Sequence, residues 1–489
     1  MELIIHSSVS KRPKADLVVV PFFKTQKGAA PAVNLPDLKG VIDPILKAGD
    51  FSGKEGATML AYLTGKSEKR LLLLGLGKET ECSMEGLRKS YAAAMKRCQG
   101  KKWSHVNFVL PKCPKLDAAR AVSEGIALAS YLFDEWKSKE GKKPFHLKKG
   151  VLVGTSDSAA CKKTLGILKG VNLARDLVNG NALDVTPQAL AAEGKRLAKQ
   201  YGSVKATVLT KKELEKEKMG LLLAVGSGGR VDPALVMVEY RGAPGSDDLT
   251  MVVGKGVTFD TGGLNLKPTG FIEDMRADMG GAAAALGLIQ AAAEIKLKAN
   301  IAAVIPTTEN GIDAHSYKPG DVYRAHSGKT VEITNTDAEG RLILADALSY
   351  GQKRFHPDRI IDLATLTGAI VVALGDLRTG LFSNNDKLAK LCEKAGEASG
   401  EKVWRMPLDP EYRPLLNSDI ADIKNAGGKR IAGSVTAAIF LQEFVEKKTP
   451  WIHLDIAGTA FLEKGRDYHL SQATGVGVRL LIELLECIE

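Results

Sequence analysis

The stretch TMVVGKGVTFDTGGLNLKP, Thr250 to Pro268, decides the fold class. It opens on a short apolar run, Thr250–Val253, closed at once by Gly254, which is the pattern of a buried strand. Downstream, an Ala-rich stretch predicts a helix over Gly280–Ile295, and a second apolar run at Ile301–Ile305 predicts another strand. A strand, a helix and a strand in that order imply a crossover connection and a parallel pair. Working outward, further strands are expected at Ala206–Leu209, Leu235–Tyr240, Arg359–Leu363 and Trp451–Ile456. Helices are expected over Pro187–Gln200, Gly340–Lys353 and Ser434–Phe444. The expected class is α/β, with a mainly parallel central sheet flanked by helices. Its chemistry should lie in the loops beyond the strands' C-terminal ends.

A chain of 489 residues is too long for one ordinary core, so two domains are expected. The N-terminal third reads as a smaller α/β domain, with a strand at Leu71–Leu74, a helix over Met84–Arg97 and a strand at Val151–Val153. An amphipathic pattern over Lys162–Asn179 predicts a joining helix, with the boundary near residue 165. The expected division is a basic N-terminal α/β domain over 1–160, a linker helix over 161–180 and a catalytic domain over 181–489. Residues 1–160 hold 27 Lys and Arg against 16 Asp and Glu, so they carry the entire net charge of +11. These lysines are dispersed and not interleaved with aromatics, which favours a solvated surface over a nucleic-acid partner. No run of about 18 apolar residues suggests a membrane span, and the block Leu3–Ile5 is too short for a signal-peptide core. The six cysteines show no CxxC spacing and read as thiols of a reducing cytosol, so a cytoplasmic location is expected.

Three segments of the larger half are crowded with ionisable groups. The first carries Lys255, Asp260 and Lys267 on a glycine-rich stretch, where Lys255 and Asp260 are expected on a short turn. The second is MRADMGG, Met275–Gly281, which places Asp278 at a helix entrance, where the dipole favours a carboxylate. The third is NTDAEGR, Asn335–Arg341, in which an extended backbone would point Asp337 and Glu339 the same way and Arg341 would open the next helix. Carboxylates converging on one sheet edge repel one another unless cations lie among them. Oxygen ligands suit Mg²⁺ or Mn²⁺, and Zn²⁺ accepts them too. A pair of such ions activates water and polarises a carbonyl. A lysine joins such a site as the neutral amine, which nearby dications favour. Carboxylate-held metal pairs also serve phosphoryl transfer, so the residues alone leave a phosphoesterase open. There is no H-E-x-x-H helix, no G-x-S-x-G and no P-loop spacing, and the eight histidines form no close pair.

At these residues the sequence resembles the leucyl aminopeptidase family of dinuclear zinc exopeptidases. NTDAEGR matches the family signature, and it is accompanied by GKGVTFDTGG, LNLKP and MRADMGGAA. The similarity runs from NLARDLVN (Asn172–Asn179) through LATLTGA (Leu363–Ala369) to HLDIAG (His453–Gly458), while the N-terminal third matches in size and α/β character. The chain has Gly180, Asn181 and Ala182 after LVN, where family members usually carry prolines. The resemblance implies one metal on Lys255, Asp260, Asp278 and Glu339 and a second on Asp260, Asp337 and Glu339, with Asp260 and Glu339 bridging. It implies that Lys267 acts on the substrate carbonyl and its oxyanion, and that Arg341 holds a bicarbonate serving as general base. Leu366 and Gly368 would contact the substrate backbone, and Met275 would line the pocket for a leucine-like first side chain. Peptide substrates and a homohexamer are implied as well.

Overall fold

The computed structural model describes residues 2–138, 145–427 and 431–488. The chain forms two compact units. The first runs to Leu168 and takes in Lys464–Ser471; the second comprises Lys169–Glu463 and Gln472–Glu489.

The first unit is built on a seven-stranded sheet. Its order is Glu2–His6, Lys149–Val153, His105–Val109, Leu17–Thr25, Arg70–Lys78 and Thr58–Tyr62, with Gly28–Pro31 added against Leu17–Thr25. The first five strands pair in parallel, and Thr58–Tyr62 closes the edge antiparallel. Leu71–Leu74 are wholly buried on both faces, the condition under which a strand is continuously apolar. The helix Met84–Gly100 is capped by Ser83, whose side chain accepts from Gly86 N–H. The segment Lys464–Ser471, which the sequence reading placed with the second domain, joins this unit through the ion pair of Lys89 with Asp467 at 3.1 Å and the bond from Tyr468 to Glu85 at 3.1 Å.

The second unit carries a nine-stranded sheet. Its parallel centre is Trp451–Asp455, Arg359–Ala364, Thr250–Gly254 and Asn300–Asn310. Ala234–Arg241 and Val204–Leu209 extend it by antiparallel pairings on one side; on the other, Thr379–Ser383 pairs antiparallel with Trp451–Asp455, and Val403–Arg405 pairs parallel with Thr379–Ser383. The fold is therefore mixed and mostly parallel. The Ala-rich helix Gly280–Ile295 is buried along nearly its whole length, because small side chains let it lie close against the sheet. The helix Ser158–Asn179 begins in the first unit and ends in the second. No helix among the described residues is long and apolar enough to cross a membrane.

Two expectations need correction at the places that matter for chemistry. The residues after Lys255 form a strand, Gly256–Asp260, paired with the far end of Asn300–Asn310, and not a short turn. That partner strand outruns the expected Ile301–Ile305 because Thr307, Thr308 and Asn310 are polar yet wholly buried, so hydropathy stops short of its end. The segment Asn335–Arg341 is a turn and not extended: Glu339 already has helical angles, φ −77° and ψ −37°, and caps the helix Gly340–Phe355. A three-stranded sheet of Val322–Arg324, Thr330–Glu332 and Ile423–Lys424 lies behind that turn and was not foreseen.

Candidate metal centre

Lys255 sits at the break between the strands Thr250–Gly254 and Gly256–Asp260. Its N–H donates to Leu363 O at 3.0 Å and its carbonyl accepts from Ala282 N at 2.8 Å, so its backbone is pinned between sheet and helix. The buried Nζ lies 2.7 Å from Asp278 Oδ1 and 2.8 Å from Glu339 Oε1, and it donates to Thr365 O at 2.8 Å. Gly340 makes room for this side chain: a Cβ there would come within 2.5 Å of Lys255 Cε. Asp278 follows the single turn Met275–Ala277 and is steadied by Thr365, whose hydroxyl donates to Oδ1 at 2.8 Å. Its Oδ2 is buried without a hydrogen-bond partner among the described residues.

Asp260 ends its strand with its two oxygens in different surroundings. Oδ1 accepts from Gly262 N and from Asn310 Nδ2, both at 2.8 Å, while Oδ2 faces Lys267 Nζ at 2.9 Å. The loop between them turns on Gly262 at φ +87°, where a Cβ would approach Asn265 O to 2.6 Å and Asp337 Oδ1 to 2.8 Å. Thr336 laces this loop to the acidic turn, its hydroxyl donating to Gly262 O at 2.7 Å and accepting from Asn265 N at 2.9 Å. Lys267 Nζ also lies 2.5 Å from Asp337 Oδ1.

Burial and mutual repulsion set the charge states. Burial pushes the Asp260 carboxyl up, Glu339 adds to the push, and it reaches about 6 despite both lysines. Asp278 and Asp337 are raised for the same two reasons, burial and the charge of nearby carboxylates. Glu339 alone is lowered, because Lys255 and Lys267 outweigh its burial. Burial works against the charged forms of Lys255 and Lys267, but the surrounding carboxylates override it and raise both. Four carboxylates thus share two ammonium groups, a deficit of positive charge, and burial together with mutual repulsion raises three of the four.

That deficit, the unpartnered Oδ2 of Asp278 and the donor chemistry all fit divalent cations. Asp260, Asp337 and Glu339 each present one ligand oxygen, all within 4.8 Å of one another. Lys255, Asp260, Lys267, Asp278, Asp337 and Glu339 are brought together by direct contacts. Arg341 is buried at the second position of the helix Gly340–Phe355 and donates from Nη1 to Asn425 O at 2.8 Å, with its Nε unpartnered among the described residues. Burial lowers its pKa to about 10, against the pull of Glu339. Met275 begins the turn that delivers Asp278. Leu366 and Gly368 follow Thr365, and Gly368 starts the helix Gly368–Leu374. Sequence reasoning missed Thr365, Asn310 and Asp455; the last accepts from Leu366 N at 3.1 Å and from Thr367 Oγ1 at 2.7 Å and so holds that loop. No spacing rule marks these residues, since each is a single polar group at a strand end.

A mostly parallel α/β sheet with carboxylates and a lysine gathered at its C-terminal edge defines a metal-dependent hydrolase class of site. The chain belongs to the cytosol aminopeptidase family: the model of the family's catalytic domain matches residues 172–482 and that of its N-terminal domain residues 19–140. The likeness of the N-terminal third is thus more specific than size and α/β character. A protein of Protochlamydia amoebophila (strain UWE25) described as "Probable cytosol aminopeptidase" is 48% identical over 493 residues, covering 99% of each chain. Its counterpart in Chlamydia felis (strain Fe/C-56) is 46% identical over 498 residues, again covering 99% of each. Among solved structures, a mutant tomato leucine aminopeptidase superposes with a TM-score of 0.88 at 33% identity, over 99% of this chain and 96% of that one. The bottromycin maturation enzyme BotP in complex with Mn gives 0.86 at 33% identity, over 97% and 99%.

Proposed function

We propose that this aminopeptidase removes the N-terminal residue of peptides, leucine-like residues preferred, at a centre holding two divalent ions. The observation that carries the reading is the meeting of Asp260, Asp337 and Glu339 oxygens within 4.8 Å, with Lys255 and Lys267 locked among them. One ion would be held by Lys255, Asp260, Asp278 and Glu339, and the other by Asp260, Asp337 and Glu339, with Zn²⁺, Mn²⁺ or Mg²⁺ all compatible with the donors. Such ions supply an activated water and Lewis-acid polarisation of the scissile carbonyl.

The chain's own residues do the rest. Lys267 is a cation aimed at the cluster from a rigid loop, suited to stabilising an oxyanion as it develops. Arg341 has a buried, unpartnered Nε, which fits an anion, and bicarbonate would take the place of a general base there. Thr365 and Asp455 fix the loop that carries Leu366 and Gly368, whose backbone would orient the peptide. Met275 would line the pocket of the first side chain. The expected homohexamer would cover apolar side chains that the second unit leaves exposed, such as Val372 and Leu377, and the expected location is the cytoplasm. Turnover of a leucine anilide and a phosphate ester with Mn²⁺ supplied tests the reading. Release of the anilide alone is the expected outcome, and activity on the ester alone would overturn it.

A further inference from the structure

The acidic turn that carries Asp337 and Glu339 is held from behind by one wholly buried side chain, Asn425. Asn425 follows the short strand Ile423–Lys424, which pairs in parallel with Val331–Glu332. Its Oδ1 accepts from Thr334 N at 2.8 Å, Thr334 Oγ1 at 3.2 Å and Asn335 N at 3.3 Å. Its Nδ2 donates to Asn335 O at 2.7 Å and to Ala338 O at 3.4 Å. The backbone N–H donates to Glu332 O at 2.9 Å, and the backbone carbonyl accepts from Arg341 Nη1 at 2.8 Å. One residue therefore grips the start of the turn, its last residue before Glu339, and the guanidinium that follows.

We infer that Asn425 is a positioning residue for the metal centre, fixing Asp337, Glu339 and Arg341 relative to one another without touching substrate or ion. The inference rests on the reading of this cluster as a metal site. A side-chain amide offers acceptor and donor sides at once in a fixed plane, and every polar atom of Asn425 is committed to this one segment. A residue that merely filled the core would not need that match. Asp337 and Glu339 lie on a turn with no regular structure of its own, so without a brace they would have to be ordered when ions bind. Asn425→Asp preserves shape and the acceptor side but sets an oxygen against the carbonyls of Asn335 and Ala338. The change strikes the brace with little loss of volume.

The test measures Mn²⁺ affinity of the full chain by competition with a chelator, together with kcat and KM for a leucine anilide. A folded Asn425→Asp protein is expected to bind Mn²⁺ about 10–100-fold more weakly, with the loss in kcat exceeding any change in KM. Wild-type Mn²⁺ affinity in the folded variant overturns the inference. If the buried change prevents folding, Thr334→Val decides, since it removes only one hydroxyl from the same brace. It is expected to weaken Mn²⁺ binding by a factor of up to about 10, and unchanged affinity there overturns the inference equally. A wild-type chain that binds no Mn²⁺ would instead sink the metal centre itself, which separates the two failures.

Discussion

The ammonium of Lys267 and the carboxylate of Asp337 meet at 2.5 Å, each delivered by a separate loop, and the same ammonium lies 2.9 Å from Asp260. Lys267 is thereby the cation nearest Asp260 and Asp337, two of the three carboxylates of the proposed second ion site, and it is partly accessible where Lys255 is sealed. Replacing it with methionine keeps the length of the side chain and removes the charge. Lys267→Met is expected to lower kcat about 10²–10³-fold, the usual cost of losing one oxyanion donor, with KM changed far less. Steady-state kinetics on a leucine anilide checks this, and a kcat close to that of the wild type would contradict the role.

The loop after Thr365 depends on Thr367. Its hydroxyl donates to Asp455 Oδ2 at 2.7 Å and accepts from Ile370 N at 3.1 Å, capping the helix Gly368–Leu374. Thr367→Val leaves Asp455 without that partner and is expected to cost about 1–3 kcal/mol of stability. The loosened loop should also raise KM. Denaturant unfolding and kinetics read the two effects, and an unchanged KM would show that the loop does not orient the peptide.

A pH dependence of stability is expected from His453, buried in the strand Trp451–Asp455 with Nδ1 2.6 Å from Asp362 Oδ1. Burial works to lower its pKa, but the charge and hydrogen bond of Asp362 outweigh that and carry it above the ordinary 6.5. A folded-state pKa above the unfolded one means that the folded state holds the proton more tightly. The contribution is therefore complete below about pH 6.5 and is lost as pH rises through the folded value. His453→Gln does not titrate, so its melting temperature should decline less than that of the wild type above that pH. Parallel declines in the two proteins would remove His453 as the cause.

The parts of this molecule legible in the sequence are those in which one physical signal dominates. Predominantly apolar runs marked Thr250–Gly254 and Arg359–Ala364, the latter despite Asp362 within it, because a parallel strand is covered on both faces. The six charged residues of the centre were found because their types and glycine-rich settings are unusual together. The strand Gly256–Asp260 was read as a turn because glycine at its start and Asp260 at its end mimic turn chemistry. Asn310, Thr365, Asn425 and Asp455 were not singled out, since each acts through a partner distant in the chain, although Thr365 and Asp455 lie within the stretches LATLTGA and HLDIAG. The packing of Lys464–Ser471 with the first unit was likewise not legible, since it rests on contacts with Lys89 and Glu85 that no local pattern announces.

Asp337→Ala shows whether the converging carboxylates hold divalent ions that the reaction requires. Metal analysis of the wild type and the variant after exhaustive dialysis, with activity on a leucine anilide measured in the same samples, is the measurement. Two ions per wild-type subunit are expected, fewer in Asp337→Ala, and no detectable turnover by the variant. Full metal content together with retained activity in Asp337→Ala would contradict that expectation.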